Sequence, residues 1–183
     1  GQIPCNKVLA QTPWKRKRDV ILFDFLKRFL NNVYNGAKQP ALILTNSVVE
    51  VSLFTSNLRS NLPTNEEGIL AIGTNMSASA LHSEILSKSG TLILVLSSQM
   101  ALAAFVHGII RIQEFSLVLF ADARGANQNH PFCIIMNHFY TPLRLLSSLS
   151  LPRIVGFAEL KPADKIEADM FSRRDWSKTL KHY

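Results

Sequence analysis

Six short apolar runs recur along the chain, and longer segments of mixed polarity separate them. The runs are Lys7-Val-Leu-Ala, Ala41-Leu-Ile-Leu, Gly68-Ile-Leu-Ala-Ile, Thr91-Leu-Ile-Leu-Val-Leu, Ser116-Leu-Val-Leu-Phe and Arg153-Ile-Val-Gly-Phe. A run that is apolar at every position is typical of a strand covered on both faces, as in a parallel sheet. We therefore predict six buried strands, with Ser116–Phe120 and Arg153–Phe157 in the interior of a mainly parallel sheet.

Helical spacing fills several of the intervening segments. Ser98–Val106 and Pro131–Tyr140 are predicted helices, and Thr55–Gly68 is a polar, loop-like stretch that could carry the end of one. Asp19–Tyr34 is also predicted to be a helix. Its apolar residues near one face are Ile21, Phe25, Leu26, Phe29, Leu30 and Val33. Strands that alternate with helices predict an α/β domain with right-handed crossovers.

Length and composition are those of one intracellular domain. The 183 residues are 47% hydrophobic, which is enough for a substantial core. We expect the domain at 1–162 and a polar tail or linker at 163–183. No apolar run is long enough to span a membrane, so no membrane partner is expected. Cys5 and Cys133 imply no disulfide framework, which favours a reducing compartment, either nuclear or cytoplasmic.

The net charge of +7 is concentrated near the amino terminus. Residues 1–40 hold eight basic and two acidic residues, whereas residues 41–160 hold six and seven. The basic run is Lys15, Arg16, Lys17 and Arg18. A local basic patch attracts nucleic acid or an acidic protein surface. A solvated loop is an equal alternative, and a nuclear-import signal is a third.

One stretch in the second half of the chain carries a specific pattern. It runs Leu117-Val-Leu-Phe-Ala-Asp-Ala-Arg-Gly-Ala-Asn-Gln-Asn-His-Pro-Phe, followed by Ile134-Ile-Met and Phe139-Tyr. This stretch resembles the region around the DECH box of Dicer and Dicer-like helicase domains. There an apolar strand leads into Asp-Glu-Cys-His-His-Ala and then His-Pro-Tyr, Ile-Met and Phe-Tyr. The spacing matches without a gap when His130-Pro131 is the anchor.

Shorter matches extend the resemblance over most of residues 7–160. Pro152-Arg-Ile-Val-Gly-Phe is similar to the strand that leads into the family's Thr-Ala-Ser motif. Ala41-Leu-Ile-Leu-Thr-Asn-Ser is similar to the second strand, and Leu92–Ser97 to the strand that ends in a Thr-Pro motif. The resemblance implies a RecA-like, three-layer α/β/α domain, namely the first RecA lobe of a superfamily 2 DExD/H-box helicase.

The chain departs from the family at the loop that cradles the phosphates of ATP. In the family that loop is rich in glycine, so its N–H groups face the phosphates, and a Lys and a Thr complete the site. The matching turn here has no glycine. Pro13 lacks an N–H, and Trp14 adds bulk where close backbone approach is needed. A lysine remains among Lys15, Arg16 and Lys17, but the cradle does not.

The other nucleotide motifs also depart from the family at their chemical residues. At the DECH box, Ala121 replaces the Asp that coordinates the metal, and Asp122 replaces the Glu that activates water. The Thr-Pro motif reads Ser97-Ser98. The remaining substituted positions are Ala123 and Arg124 in the DECH box and Ala158, Glu159 and Leu160 at the Thr-Ala-Ser motif. We therefore expect a pseudoenzyme that has no catalytic residues and needs no metal or other cofactor.

Single residues leave alternatives open. Asp122 could be a metal ligand or base, although a lone carboxylate that is solvated or paired with Arg124 is favoured. His130 is expected to cap the following helix rather than bind metal. Trp14 could stack on a nucleic-acid base, but a single aromatic residue is weak evidence for a base-stacking surface. No Gly-x-Ser-x-Gly elbow supports a serine nucleophile at Ser97-Ser98.

The resemblance implies a setting in small-RNA or double-stranded-RNA pathways. The leading hypothesis is a non-catalytic scaffold that binds a double-stranded-RNA-binding protein or a Dicer-type complex. The first alternative is a module that binds RNA directly, without ATP, through Lys15–Arg18. The second is a residual ATPase or helicase, which requires a rebuilt phosphate loop and a substitute for the metal-binding Asp.

Overall fold

The computed structural model describes residues 8–12, 15–34, 39–62, 68–73, 76–87, 90–123, 128–145 and 150–159. The predicted tail at 163–183 lies outside these residues. No helix in these ranges is long and apolar enough to cross a bilayer.

The described strands form one parallel sheet in the order β1-β6-β5-β2-β4-β3. The strands are β1 (Val8–Thr12), β2 (Ala41–Thr45), β3 (Ile69–Ile72), β4 (Ile93–Ser97), β5 (Leu117–Phe120) and β6 (Arg153–Glu159). All six predicted strands are therefore present. The prediction that β5 and β6 are interior strands of a parallel sheet is confirmed, since each is paired on both sides.

Helices cover both faces of the sheet. They are α1 (Lys15–Tyr34), α2 (Val48–Asn61), α3 (Ala78–Ser87), α4 (Ser98–Val106), α5 (Pro131–Ile135) and α6 (Thr141–Arg144). Helices α1 and α2 pack in one apolar cluster, and α3, α4 and α5 pack in another on the opposite face. This arrangement confirms the predicted three-layer α/β/α class.

Strand β2 shows why the strands read as continuous apolar runs. Leu42 and Leu44 point into the cluster with α4 and α5, whereas Ala41 and Ile43 point into the cluster with α1 and α2. All four side chains are fully buried. A strand in an α/β domain must be apolar at both odd and even positions, because neither face reaches water.

Helix α1 confirms most of its predicted apolar face and corrects one position. Leu26 and Leu30 are fully buried, as predicted, but Ile21 is 46% exposed, and the neighbouring Leu22 is buried instead. Leu22, Leu26 and Leu30 repeat every four residues, so they form one stripe along the helix. That stripe, rather than the position of Ile21, faces the sheet.

Helix α2 extends into the polar stretch Thr55–Gly68, which the sequence pattern describes as loop-like. It begins after the N-cap Ser47 and continues through Asn61, so the alternative that this stretch carries the end of a helix is correct. Thr55 Oγ1 donates to the Val51 carbonyl at 2.7 Å, and Ser60 Oγ donates to the Ser56 carbonyl at 3.0 Å. Polar side chains that bond back to their own helix in this way do not compete with it for partners.

The predicted helix over Pro131–Tyr140 has a change of winding in its middle. Helix α5 runs to Ile135, a π-helical turn covers Met136–Tyr140, and α6 follows directly. Phe132 and Ile135 anchor α5 in the core. The centroid of the Phe132 ring lies 4.7 Å from the centroid of the Phe120 ring, at the end of β5. Helix α5 is thereby fixed against the strand that carries the DECH-box position.

Candidate functional site

The substituted motif positions gather at one edge of the sheet. Because all strands are parallel, their carboxyl ends lie at the same edge, where α/β domains bind their ligands. Strands β1, β6 and β5 are neighbours, with Thr12 opposite Glu159 and Phe120 opposite Gly156. The phosphate-loop, Thr-Ala-Ser and DECH-box positions thus follow three adjacent strands. Leu160, which follows Glu159, lies outside the described residues.

The phosphate-loop position is a very short connection. Strand β1 ends at Thr12 and α1 begins at Lys15, so only Pro13 and Trp14 join them. Both of those residues lie outside the described ranges. A loop of the form Gly-x-x-x-x-Gly-Lys needs several residues to wrap a phosphate. The connection here is two residues long and contains no glycine.

The basic run is helical rather than a loop, and whether its side chains contact RNA or are only solvated stays a prediction. Lys15, Arg16, Lys17 and Arg18 form the first turn of α1. Lysine and arginine are good helix formers, and no glycine or proline interrupts the run. The first turn contains no acidic residue, so positive charges stand at the positive end of the helix dipole.

The DECH-box backbone is pinned between two strands. The Ala121 N–H donates to the Leu44 carbonyl at 2.9 Å, and the Ala123 N–H donates to the Phe157 carbonyl at 2.7 Å. Ala121 is only 5% exposed, so the methyl group at the metal-binding position faces packed protein. Asp122 between them is half-buried. Arg124 lies outside the described residues, so its pairing with Asp122 stays a prediction.

Asn46 is a site residue that sequence reasoning missed. Its Nδ2 donates to the Asp122 carbonyl at 3.1 Å, which links the end of β2 to the end of β5. Its backbone N–H donates to Glu50 Oε2 at 2.9 Å, and its buried Oδ1 has no partner in the described structure. The signal was available in the sequence, because the polar run Thr45-Asn-Ser comes directly after an apolar strand.

The carboxylate of Glu50 occupies the amino terminus of α2. Ser47 Oγ accepts a hydrogen bond from the Glu50 N–H at 3.3 Å, while Glu50 reaches back to the N–H of Asn46. This reciprocal arrangement is a capping box, shifted by one residue on the carboxylate side. A helix terminus that an internal carboxylate already caps offers little attraction to a phosphate.

The Thr-Pro position also serves the fold. Ser97 and Ser98 are both buried. Ser97 is the N-cap of α4, and its Oγ accepts a hydrogen bond from the Met100 N–H at 3.4 Å. The hydroxyl of Ser97 therefore satisfies a helix donor rather than facing an open site.

His130 caps α5, as predicted. Its Nδ1 accepts a hydrogen bond from the Phe132 N–H at 3.2 Å, and Pro131 occupies the first turn of the helix. Within the described ranges, no group of three His, Cys, Asp or Glu side chains is placed to hold a metal ion.

The strand order, the parallel sheet and the helices on both faces define a RecA-like α/β domain. The fold is similar to that of the Pyrococcus furiosus Hef helicase domain, with a TM-score of 0.59 and 15% sequence identity. That match covers 89% of this chain and 32% of the Hef chain.

Sequence comparison points to Dicer-like proteins. The chain is 32% identical to Endoribonuclease Dicer homolog 2b of Oryza sativa subsp. japonica over 90 residues, which is 48% of this chain. It is 37% identical to Endoribonuclease Dicer homolog 2a of the same plant over 68 residues, or 36% of the chain. It is also 27% identical to Dicer-like protein 2 of Cryphonectria parasitica over 88 residues, or 48% of the chain.

These relatives are far longer than the part they share with this chain. The matched segments span only 5% or 6% of their lengths. No protein-family model matches the chain. Together with the fold, the similarities confirm the resemblance to a RecA lobe of Dicer-like superfamily 2 helicases.

Proposed function

We propose that this chain is a catalytically inactive, Dicer-helicase-like domain that acts as a protein-interaction scaffold in small-RNA or double-stranded-RNA pathways. Its partner is a double-stranded-RNA-binding protein or a Dicer-type complex. The setting is drawn from the Dicer-like relatives, and the scaffold role from a fold that keeps its core while its nucleotide site is degraded.

The observation that carries the inactive assignment is Ala121. In a working site this position supplies a carboxylate oxygen to the metal that neutralises the phosphates. Ala121 has no oxygen on its side chain, is buried, and is fixed by its N–H bond to Leu44. Asp122 does not replace the missing carboxylate, because it is the next residue along the chain and successive side chains of extended backbone point in different directions.

Two further features support the inactive assignment. The connection of two residues between β1 and α1 lacks the length and the glycines of a phosphate cradle. The hydroxyl of Ser97 is engaged in capping α4. Of the three positions that would act together on ATP, Ala121 is thus engaged in packing and Ser97 in capping, while the phosphate-loop position lacks glycine.

One observation favours direct RNA binding as a second function. The four residues Lys15–Arg18 form the first turn of α1, which starts at the carboxyl edge of the sheet. A cluster of positive charge at the amino terminus of a helix attracts phosphate groups. Such contacts are independent of nucleic-acid sequence, so they would supply weak, non-specific affinity.

The decisive experiment is calorimetric titration of the purified chain with ATP and Mg²⁺. We expect no heat of binding at any ATP concentration up to the millimolar range. A matched titration of the Ala121→Asp variant should also show none, because the phosphate cradle is still missing. A micromolar dissociation constant for the parent chain would overturn the assignment and restore the residual-ATPase alternative.

The scaffold role is tested separately, by affinity purification of the chain from its native source with and without ribonuclease. We expect a double-stranded-RNA-binding protein or a Dicer-type protein to remain bound after the RNA is digested. Loss of every protein partner on ribonuclease treatment would favour the RNA-binding alternative.

A further inference from the structure

The side chain that caps α5 differs in kind from those that cap two longer helices. Ser47 and Ser97, which cap α2 and α4, carry hydroxyl groups that stay uncharged near neutral pH. The cap of α5 is His130, and imidazole is the side chain that gains or loses a proton between about pH 5 and 8. The amino terminus of α5 is therefore capped by a group with two charge states near neutral pH.

The neutral imidazole is the state that fits this position. Its Nδ1 accepts a hydrogen bond from the Phe132 N–H at 3.2 Å, which requires a lone pair on that nitrogen. Pro131 has no N–H, and the Ile134 N–H already donates to the His130 carbonyl at 3.1 Å. Phe132 thus supplies the first N–H of the helix, and His130 Nδ1 is its acceptor.

The capped turn carries the residue that anchors α5 in the core. Phe132 is 4% exposed, and its ring packs on that of Phe120 at the end of β5. The His130 ring meets the Phe132 ring edge-on, with the two centroids 4.6 Å apart. Helix α5 has only five residues, so its stability depends on the cap and on this packing rather than on helix propensity.

Protonation of His130 opposes the capped arrangement in two ways. A proton on Nδ1 takes the lone pair, so the partly buried Phe132 N–H loses its acceptor. The new positive charge also stands at the amino end of a helix, where the dipole disfavours cations. The capped state holds the neutral imidazole, whereas the unfolded chain takes up a proton freely. Stability from the cap is therefore present at high pH and is lost as the pH falls.

The elements packed on α5 carry few other ionisable groups. Helix α4 has none between Ser98 and Val106, and it runs back from the carboxyl edge of the sheet to end at its C-cap His107. Strand β5 has none in Leu117–Phe120. On α5 itself, burial raises the pKa of the Cys133 thiol, so that thiol stays neutral at and below neutral pH.

Three further described groups lie along the chain on either side of α5. His138 is eight residues beyond His130, or about 12 Å along a helix that rises about 1.5 Å per residue. Arg144 of α6 keeps its charge throughout this pH range. Asp122 follows Phe120 by two residues, and a carboxylate that faced His130 would favour the protonated ring. His138 and Asp122 therefore provide the controls.

We propose that His130 is a pH-sensitive cap, which holds the first turn of α5 on the core while its imidazole is neutral and releases that turn when the ring is protonated. Release frees the Phe132 N–H and weakens the contact between α5 and the end of β5. The edge of the sheet that carries the DECH-box position thereby responds to mild acidification. This inference goes beyond the scaffold role and does not rest on it.

Thermal unfolding of the whole chain, followed by circular dichroism, tests the cap on three matched proteins. His130→Asn keeps an acceptor that does not titrate, and His130→Ala removes the acceptor at every pH. At about pH 7.5 the parent and His130→Asn should unfold at similar temperatures, with His130→Ala lower by about 2–4 °C. At about pH 5.5 the parent should fall to the level of His130→Ala, while His130→Asn keeps its advantage.

Hydrogen exchange locates the change. At about pH 5.5 the amides of residues 132–135 should exchange faster in the parent than in His130→Asn, measured at the same pH so that intrinsic rates cancel. In the unfolding series, His138→Asn and Asp122→Asn should each keep the pH response of the parent.

A gap between the parent and His130→Ala that is equal at both pH values overturns the proposal, because it shows a cap of fixed strength. Loss of the pH response in His138→Asn or Asp122→Asn also overturns it, as does faster exchange confined to residues outside α5. If Asn fits the site poorly, the comparison of the parent with His130→Ala decides by itself.

Discussion

Substitutions of Asn46 test how much its hydrogen bond to the DECH-box position Asp122 contributes to stability. Its Nδ2 holds the Asp122 carbonyl, and its Oδ1 is buried without a partner in the described structure. Asn46→Ala removes one hydrogen bond, a net loss of about 1 kcal/mol, and also removes the unpartnered oxygen, which offsets part of that loss. We therefore expect Asn46→Ala to lower the free energy of unfolding by roughly 0.5–1 kcal/mol.

Asn46→Asp is expected to be worse, although it changes the side-chain volume very little. It sets a carboxylate oxygen against the Asp122 carbonyl oxygen, close to the carboxylate of Glu50 that bonds the Asn46 N–H. A buried acceptor left facing acceptors costs about 1–3 kcal/mol, and more when it is charged. The variant should thus be less stable than Asn46→Ala by at least about 1 kcal/mol at neutral pH.

The pH dependence has a definite sign. Burial and the nearby carboxylate raise the pKa of the introduced carboxyl above its unfolded value of about 3.9. The loss in free energy of unfolding relative to the parent is therefore complete above the pKa of the folded state. It disappears as the pH falls below the pKa of the unfolded state. The protonated carboxyl can then donate to the Asp122 carbonyl.

Urea unfolding followed by circular dichroism at neutral pH and at mildly acidic pH measures these differences. Asn57→Ala on the exposed side of α2 is the matched control and should stay close to the parent. The reasoning is refuted if Asn46→Asp is as stable as Asn46→Ala at neutral pH, or if its deficit grows as the pH falls.

Three further predictions concern the basic run, a helix cap and a thiol. Replacing Lys15, Arg16, Lys17 and Arg18 together by Ala should abolish most RNA binding in filter assays, and the affinity of the parent should fall steeply with salt. If this variant binds RNA as well as the parent, these charges do not contact RNA. Ser97→Ala should cost about 1 kcal/mol in thermal unfolding because it removes the cap on the Met100 N–H, whereas exposed Ser83→Ala should cost less. Burial raises the pKa of the Cys133 thiol, so in a Cys5→Ser background its alkylation should need higher pH than that of a free thiol. Alkylation that follows the pH profile of free cysteine would contradict this.

Segments with little apolar content were the hardest to predict. Helix α3, rich in alanine and serine, went unpredicted because Leu81 is its only buried apolar residue. The length of α2 was uncertain because Ser, Thr and Asn usually favour loops, and only their bonds to the preceding turn reconcile them with a helix. The role of Asn46 was missed because its partner Asp122 lies 76 residues away along the chain.

The sequence by itself determined where the strands lie, that the sheet is parallel, and which chemical groups are missing from the motifs. Continuous apolar runs can be read locally because burial on both faces acts on each residue separately. The strand order β1-β6-β5-β2-β4-β3 was decided only by the tertiary structure. So were the burial of Ala121 and the contact between Asn46 and Asp122. These features depend on which distant segments become neighbours, and side-chain periodicity along one segment carries no information about its neighbours in space.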